Sequence, residues 1–375
     1  MGSIFSKYKD VLIDISDTEH KKDLTYPLQK VGDLVNGYTR GDFIIVGGKK
    51  TSGKSSFVLN NYVNYPLLKR ATSKADNKKI DIKVIYINTK KTVKSTLEKL
   101  IVNYAANKHG LCKLGVPTLY NLSGSHEKIS RGLAKNVISS VMSAYDQFSE
   151  KGILTLSAGR KSIYEITQLI KASLAEYGEY NEELEEFVYK PEFSDLIPIV
   201  AIDDVSGITI ESSVSEESGL RASAAAQIAI ELKSIAKTYG VLVVLTVPSG
   251  PVYTSTNYYS SSIEEVTPYH IYADRILLLK NPAESEKFKE VLGFDMYKFV
   301  SKINGACYFR SLYVGSNYMG ASGVYVPLFM YPENGTFLEL PKNSVDDDDD
   351  DELLDFYDLV QSRTTLKDAF FKNSK

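Results

Sequence analysis

The chain has no tryptophan, only two cysteines and only four histidines among its 375 residues. Cys112 and Cys307 stand far apart and no histidines cluster beside them. Neither a disulfide framework nor a zinc spacing is therefore present, and both cysteines are expected as buried small hydrophobic residues. No uncharged apolar run approaches the roughly 20 residues that cross a bilayer, and the first residues lack the apolar core of a signal peptide. A soluble, cytoplasmic protein with no membrane partner is expected. The opening Met1, Gly2, Ser3, Ile4, Phe5, Ser6 does fit the loose acylation pattern. A single acyl chain anchors only marginally, and no polybasic stretch follows to supply a second signal. No internal repeat is apparent.

What is present is an ordinary core-forming composition, 43% hydrophobic and 24% charged. Its charge is unevenly placed. Residues 345–375 carry ten acids against four bases, a local charge of −6, which leaves +3 on the body out of a total of −3. Seven successive acids, Asp346 to Glu352, repel one another and are expected as a solvated linker. The organisation predicted is an N-terminal arm over 1–24, one domain over 25–340, and an acidic, largely disordered tail over 341–375. That tail is either a solubility device, a mimic of polyanionic nucleic acid, or an adaptor whose Leu353, Leu354, Phe356, Tyr357 and Leu359 dock a partner such as a replication protein.

Hydrophobic periodicity predicts strands over 43–46, 83–87, 153–156, 196–202, 241–247, 274–279, 299–303 and 307–314. The last two are expected to form a hairpin around Asn304-Gly305. Helices are predicted over 54–62, 93–106, 135–148, 164–175 and 221–239. Strands interleaved with helices imply an α/β fold with a mostly parallel twisted sheet, helices on both faces and a C-terminal β-hairpin.

Between the first strand and its helix stand Gly48, Lys49, Lys50, Thr51, Ser52, Gly53, Lys54 and Ser55, a full match to the phosphate-binding loop pattern. Glycines let successive backbone N–H groups face an anion, and the start of the next helix adds partial positive charge. Lys54 supplies a cation for the β- and γ-phosphates of ATP. The hydroxyl of Ser55 is a hard oxygen ligand suited to Mg²⁺, and Ser56 continues the loop into the helix. The bland alternative is a Gly-Lys-rich turn, but a strand before and a helix after are the context that the binding loop requires.

The companion acid is expected at the end of a buried strand, where residues 197–204 place Asp203 and Asp204 after an apolar run. Asp203 is the candidate Mg²⁺ holder. Asp204 is either a cap for the following turn or a general base for the attacking water.

Residues 35–46 with the loop that follows them, residues 159–166, and Ala273-Asp274-Arg275-Ile276-Leu277-Leu278-Leu279 resemble the RecA-fold ATPases. Within them they resemble the hexameric replicative helicases of the DnaB type, including phage versions. RecA-type recombinases share the element order. The resemblance spans roughly residues 25–315 and is specific only around the loop. It implies a RecA-like core, ATP and Mg²⁺ as cofactors, assembly with copies of itself as a ring or filament, and action on single-stranded DNA. It also implies a catalytic glutamate after the second strand, where this chain has Asn88, Thr89, Lys90 and Lys91. A charged lysine cannot accept a proton from water. The glutamine sensor of helicases falls near Thr246, Val247 and Pro248, and no glutamine is there. Where the family carries a basic finger for a neighbouring subunit's γ-phosphate this chain has Lys302, Ile303, Asn304 and Gly305, and either Lys302 or Arg310 is the candidate substitute; a lysine lacks arginine's bidentate fork.

The resemblance places single-stranded DNA against two loops, about 205–220 and 248–267. The first is acidic; the second is rich in hydroxyls and tyrosines, which suit phosphates and bases, but has no lysine or arginine. Two function classes follow. One is a helicase-like or recombinase-like ATPase of DNA replication or recombination, with Asp204 as relocated base, in the cytoplasm of an infected host cell if viral. The other is a hydrolysis-deficient assembly protein that keeps ATP and recruits partners through its tail. A small-molecule kinase is a third class that no acceptor-binding motif recommends.

Overall fold

The computed structural model describes residues 26–35, 37–73, 81–109, 115, 131–210, 224–249, 266–282, 289–301, 305–318, 320–341 and 350–362. The expected N-terminal arm, Gly2, Cys112, Lys302 and most of both expected DNA loops lie outside these residues. Cys307 is a buried free thiol.

Nine strands form the central sheet: β1 Phe43–Gly48, β2 Ile82–Asn88, β3 Leu154–Ala158, β4 Ile197–Asp203, β5 Leu242–Pro248, β6 Arg275–Lys280, β7 Phe309–Asn317, β8 Val324–Met330 and β9 Phe337–Glu339. Their spatial order is β9-β8-β7-β6-β1-β5-β4-β2-β3. The six strands from β6 to β3 run parallel, and β7, β8 and β9 are added antiparallel. The period of two along β1 sorts its side chains between the faces. Ile44 and Val46 join the core under helices α1 Gln29–Val35, α2 Lys54–Val58, α3 Tyr65–Ser73, α4 Val93–His109 and α5 Arg131–Glu150. Phe43 and Ile45 join the core under α6 Ile163–Leu174 and α7 Ala224–Thr238. Both faces being covered explains why the inner strands read as continuous apolar runs. None of the described helices is long and apolar enough to cross a membrane.

The helix after the loop does not end near residue 62 as expected. It passes from α2 into a π-helical turn, Leu59–Asn64, and on into α3. Pro66 lacks an N–H and so cannot bond back into the preceding turn. Tyr38 donates its hydroxyl to the Asn61 carbonyl, and Asn61 Nδ2 donates to the Phe57 carbonyl at 2.8 Å, so side chains replace ladder bonds. Asn60, Asn64, Asn103 and Asn107 complete a hydrogen-bonded cluster between this turn and α4.

Three C-terminal expectations are corrected. The strand expected over 299–303 does not begin at Phe299, which closes the 3₁₀ turn Met296–Phe299; Val300 bridges Cys307, the Ser301 N–H donates to the Ala306 carbonyl at 2.9 Å, and residues 302–304 lie outside the described residues. A longer hairpin, β7 with β8, follows it in the central sheet. The tail is not irregular throughout, because Asp350–Ser362 forms helix α8. Its Leu353, Phe356, Tyr357, Leu359 and Val360 are buried with Phe299, Phe309 and Phe329, so most of the residues expected to dock a partner pack on their own chain. The Phe329 and Phe356 rings lie 5.0 Å apart, and Phe299 and Tyr357 5.1 Å. Leu354 is the exception, 52% exposed. Residues 342–349 lie outside the described residues.

Candidate nucleotide-binding site

The loop from Gly48 to Ser55 leaves the carboxyl end of β1 and curls into α2. Its path needs glycine at two points. At Gly48, with φ of 152°, a Cβ would come within 2.5 Å of the Leu279 carbonyl and of Ser52 Oγ. At Gly53, with φ of 100°, a Cβ would meet Met330 Sδ at 2.8 Å. The loop therefore sits tightly on β6 and on the β7-β8 hairpin. Lys49, Lys50 and Thr51 are exposed, whereas Ser52 is buried. Lys54 folds back over the loop and donates Nζ to the carbonyls of Gly48 and Lys49 at 2.6 and 2.7 Å. Its ammonium is thus held over the cradle. Ser56 packs against the turn after β8, where a Cβ on Gly335 would come within 2.7 Å of its side chain.

Asp203, at the carboxyl end of β4, meets this loop. Its Oδ1 accepts from Ser55 Oγ at 2.8 Å and from Thr246 Oγ1 at 2.8 Å. Its Oδ2 accepts from Asn88 Nδ2 at 3.3 Å and from the Tyr86 hydroxyl at 3.4 Å. Burial first, and then the charge of Asp203, push the Tyr86 hydroxyl well above its ordinary pKa, so it stays a protonated donor. The strands of loop and acid are not neighbours. β5 runs between β1 and β4, and its Thr246 completes the junction. Asn88, Tyr86 and Thr246 are site residues that sequence reasoning missed as partners of Asp203. The available signal was their position at or near the ends of buried strands.

Asp204 is a turn cap. Its Oδ1 accepts from the Ser206 backbone N–H at 3.0 Å at the start of the 3₁₀ turn Val205–Gly207, and its Oδ2 accepts from Lys90 Nζ at 2.8 Å. Both carboxylate oxygens are thereby engaged. Lys90 occupies the place where the resemblance called for a glutamate. Asn88 Oδ1 accepts from the backbone N–H of Lys90 at 3.2 Å and of Lys91 at 2.9 Å, which fixes the turn after β2.

Arg310 does not serve as the substitute finger. It is 4% exposed and donates from Nε to the Ser52 carbonyl at 3.0 Å and from Nη1 to the carbonyls of Cys307 and Phe309 at 2.9 and 2.6 Å. A guanidinium spent inside its own subunit braces the phosphate-loop backbone and cannot reach into a neighbour.

A cavity of about 130 Å³ adjoins the loop, bordered by Ser55, Ser56, Tyr86, Lys99 and Glu333. A larger one, about 530 Å³, opens at the opposite ends of the strands beside Arg40, Lys233 and Tyr318. Three of its charged residues, Asp42, Lys233 and Asp274, are held in ion pairs. Arg275 pairs with Asp42 at 2.7 Å, and Lys233 pairs with Asp274. This network secures the lead into β1, since Asp274 Oδ2 also accepts from the Phe43 N–H at 2.6 Å.

No protein-family model and no curated protein sequence matches the chain. Among solved structures, the ATPase domain of a phage helicase is similar at a TM-score of 0.60 and 17% identity, over 91% of this chain and 100% of that one. A DnaB-like replicative helicase, described with its interactions with primase, is similar at a TM-score of 0.60 and 14% identity, over 90% of this chain and 69% of that one. At such identities the likeness shows the fold: the chain has the RecA-like α/β architecture of these ATPases, with the loop and Asp203 at the carboxyl ends of its parallel strands.

Proposed function

We propose that the chain binds ATP with Mg²⁺ at the loop from Gly48 to Ser56 and acts as a RecA- and DnaB-like ATPase of DNA replication or recombination on single-stranded DNA. The observation that carries the nucleotide reading is the junction of Ser55 and Asp203 beside Lys54. A hydroxyl and a carboxylate are the hard oxygen donors that Mg²⁺ takes together with phosphate oxygens, and the close-packed Gly48 leaves the loop backbone for the anion. Ser55 and Asp203 would hold the ion, which when bound neutralises phosphate charge. Lys54, released from Gly48 and Lys49, would take the β- and γ-phosphates. Exposed Lys49, Lys50 and Thr51 border the opening.

Turnover is the weaker part of this chemistry. The turn after β2 offers Asn88, Thr89, Lys90 and Lys91 rather than a carboxylate, and Asp204 is capped and ion-paired. Slow hydrolysis, with Asp204 as base only after Lys90 leaves it, is the reading we favour. The Lys90–Asp204 pair also favours a second reading, a protein that keeps ATP to hold subunits together without hydrolysis. Self-assembly, a role for Lys302 at a neighbouring site, and cytoplasmic location belong to both readings.

The test is ATP turnover by the purified chain with and without single-stranded DNA, beside Lys54→Ala and Asp204→Asn. Turnover that DNA stimulates and both variants abolish supports the ATPase. Lys54-dependent binding without turnover supports the assembly protein. Wild-type turnover that persists in Lys54→Ala contradicts both.

A further inference from the structure

Lys90 stands at the carboxyl end of β2, two residues beyond Asn88, which is itself in register with Asp203. Asn88 holds that position from both sides. Its Oδ1 takes the Lys90 N–H, and its Nδ2 reaches the carboxylate that also accepts from Ser55. The lysine is therefore tied, through one asparagine, to the centre of the phosphate site. Its side chain is 51% exposed while that of its partner Asp204 is 16% exposed. The ammonium thus sits on the open side of the pair. An ion pair this exposed contributes little to stability and is easily exchanged for another anion.

We propose that Lys90 is the group that distinguishes a nucleoside triphosphate from a diphosphate: it leaves Asp204 and takes the terminal phosphate when a triphosphate fills the loop. The proposal rests on the reading of the loop as an ATP site. A lysine is a compact charge on a flexible four-carbon stem, suited to such a swing where a forked guanidinium is not. A phosphate oxygen offers a stronger, charge-assisted hydrogen bond than the half-solvated pair that it replaces. With a diphosphate there is no terminal oxygen to reach, and Lys90 remains on Asp204. The exchange also has a second effect. Asp204 caps the turn Val205–Gly207, so the terminal phosphate is reported to the chain that follows β4 at the moment the carboxylate loses its cation.

The test is titration calorimetry of the full chain with AMP-PNP and with ADP at equal free Mg²⁺, for the wild type, Lys90→Met, Lys90→Arg, Asp204→Asn and Lys54→Ala. A hydrogen bond to a charged group implies that Lys90→Met lowers the ratio of triphosphate to diphosphate affinity on the order of tenfold, with ADP affinity unchanged. Lys90→Arg retains most of the preference, and Asp204→Asn raises triphosphate affinity because the lysine no longer leaves a charged partner. An unchanged ratio in Lys90→Met overturns the proposal while leaving the nucleotide site intact. Binding of neither nucleotide by the wild type, or equal binding by Lys54→Ala, overturns the nucleotide site and this role with it.

Discussion

The hydroxyl of Ser55 and the carboxylate of Asp203 lie 2.8 Å apart although 148 residues separate them in sequence. One belongs to a glycine-framed loop and the other to the end of a buried strand. Only a parallel sheet that brings both carboxyl ends to one edge makes them partners.

Asp203→Asn keeps the shape of this junction but removes its charge and places an amide donor among four donors. Mg²⁺-dependent ATP affinity is expected to fall on the order of tenfold to a hundredfold, with a smaller loss in a chelator. Titration with and without Mg²⁺ reads the difference. An equal loss in both conditions would separate Asp203 from the metal.

Arg310→Ala leaves the carbonyls of Ser52, Cys307 and Phe309 short of donors inside the protein. The expected cost is about 2–4 kcal/mol of stability, seen as a lower melting temperature. A finger reaching a neighbouring subunit would instead leave melting unchanged and lower turnover alone.

Phe356→Ala removes a ring packed 5.0 Å from Phe329. Large-to-small substitution at a buried aromatic costs about 3–5 kcal/mol. Deleting residues 350–375 is expected to lower the melting temperature as well, by baring Phe299 and Phe329. Melting curves unaltered by either change would show that α8 is not part of the folded unit.

Glu165 gives a dependence on acid. Ser162 and Glu165 form a capping box at the start of α6, with Ser162 N–H to Glu165 Oε2 at 2.7 Å and Glu165 N–H to Ser162 Oγ at 3.1 Å. The backbone hydrogen bond from Ser162, with help from Lys161, holds the Glu165 carboxyl below its ordinary value. A carboxyl depressed in the folded state stabilises above its unfolded pKa and loses that contribution as pH falls through the folded one. Wild type is therefore expected to exceed Glu165→Gln in thermal stability near neutrality, with the gap closing in acid. A gap that does not change with pH would contradict this account.

The phosphate loop was legible because its chemistry is contiguous: Gly48, Gly53, Lys54 and Ser55 lie within eight residues. Asp203 was legible because an acid at the end of an uninterrupted apolar strand has few structural reasons to be there. Thr246 and Asn88 were not legible as its partners, since which strands flank β4 is settled by packing across the whole sheet. The asparagines at 60, 64, 103 and 107 share the four-residue spacing of a helix face, but polar residues in that pattern read as solvent-facing until the opposing helix is known. The tail misled for an electrostatic reason. Its acids dominate the local charge, yet Leu353, Phe356, Tyr357 and Val360 repeat at helical spacing, and their cover proved to be the Phe299, Phe309 and Phe329 cluster of the same chain. The strand expected from residue 299 starts late because Asp295 caps the 3₁₀ turn Met296–Phe299, accepting from the Tyr297 N–H at 3.0 Å, so that extended backbone begins only at Val300, which bridges Cys307.

The most direct measurement is titration of the full chain with ATP in the presence of Mg²⁺, beside Lys54→Ala. The account predicts one site per chain whose affinity depends on Mg²⁺ and falls at least about tenfold when the lysine is removed, the loss of a charge-assisted contact to phosphate. Binding that ignores both Mg²⁺ and Lys54, or no binding at all, would contradict it.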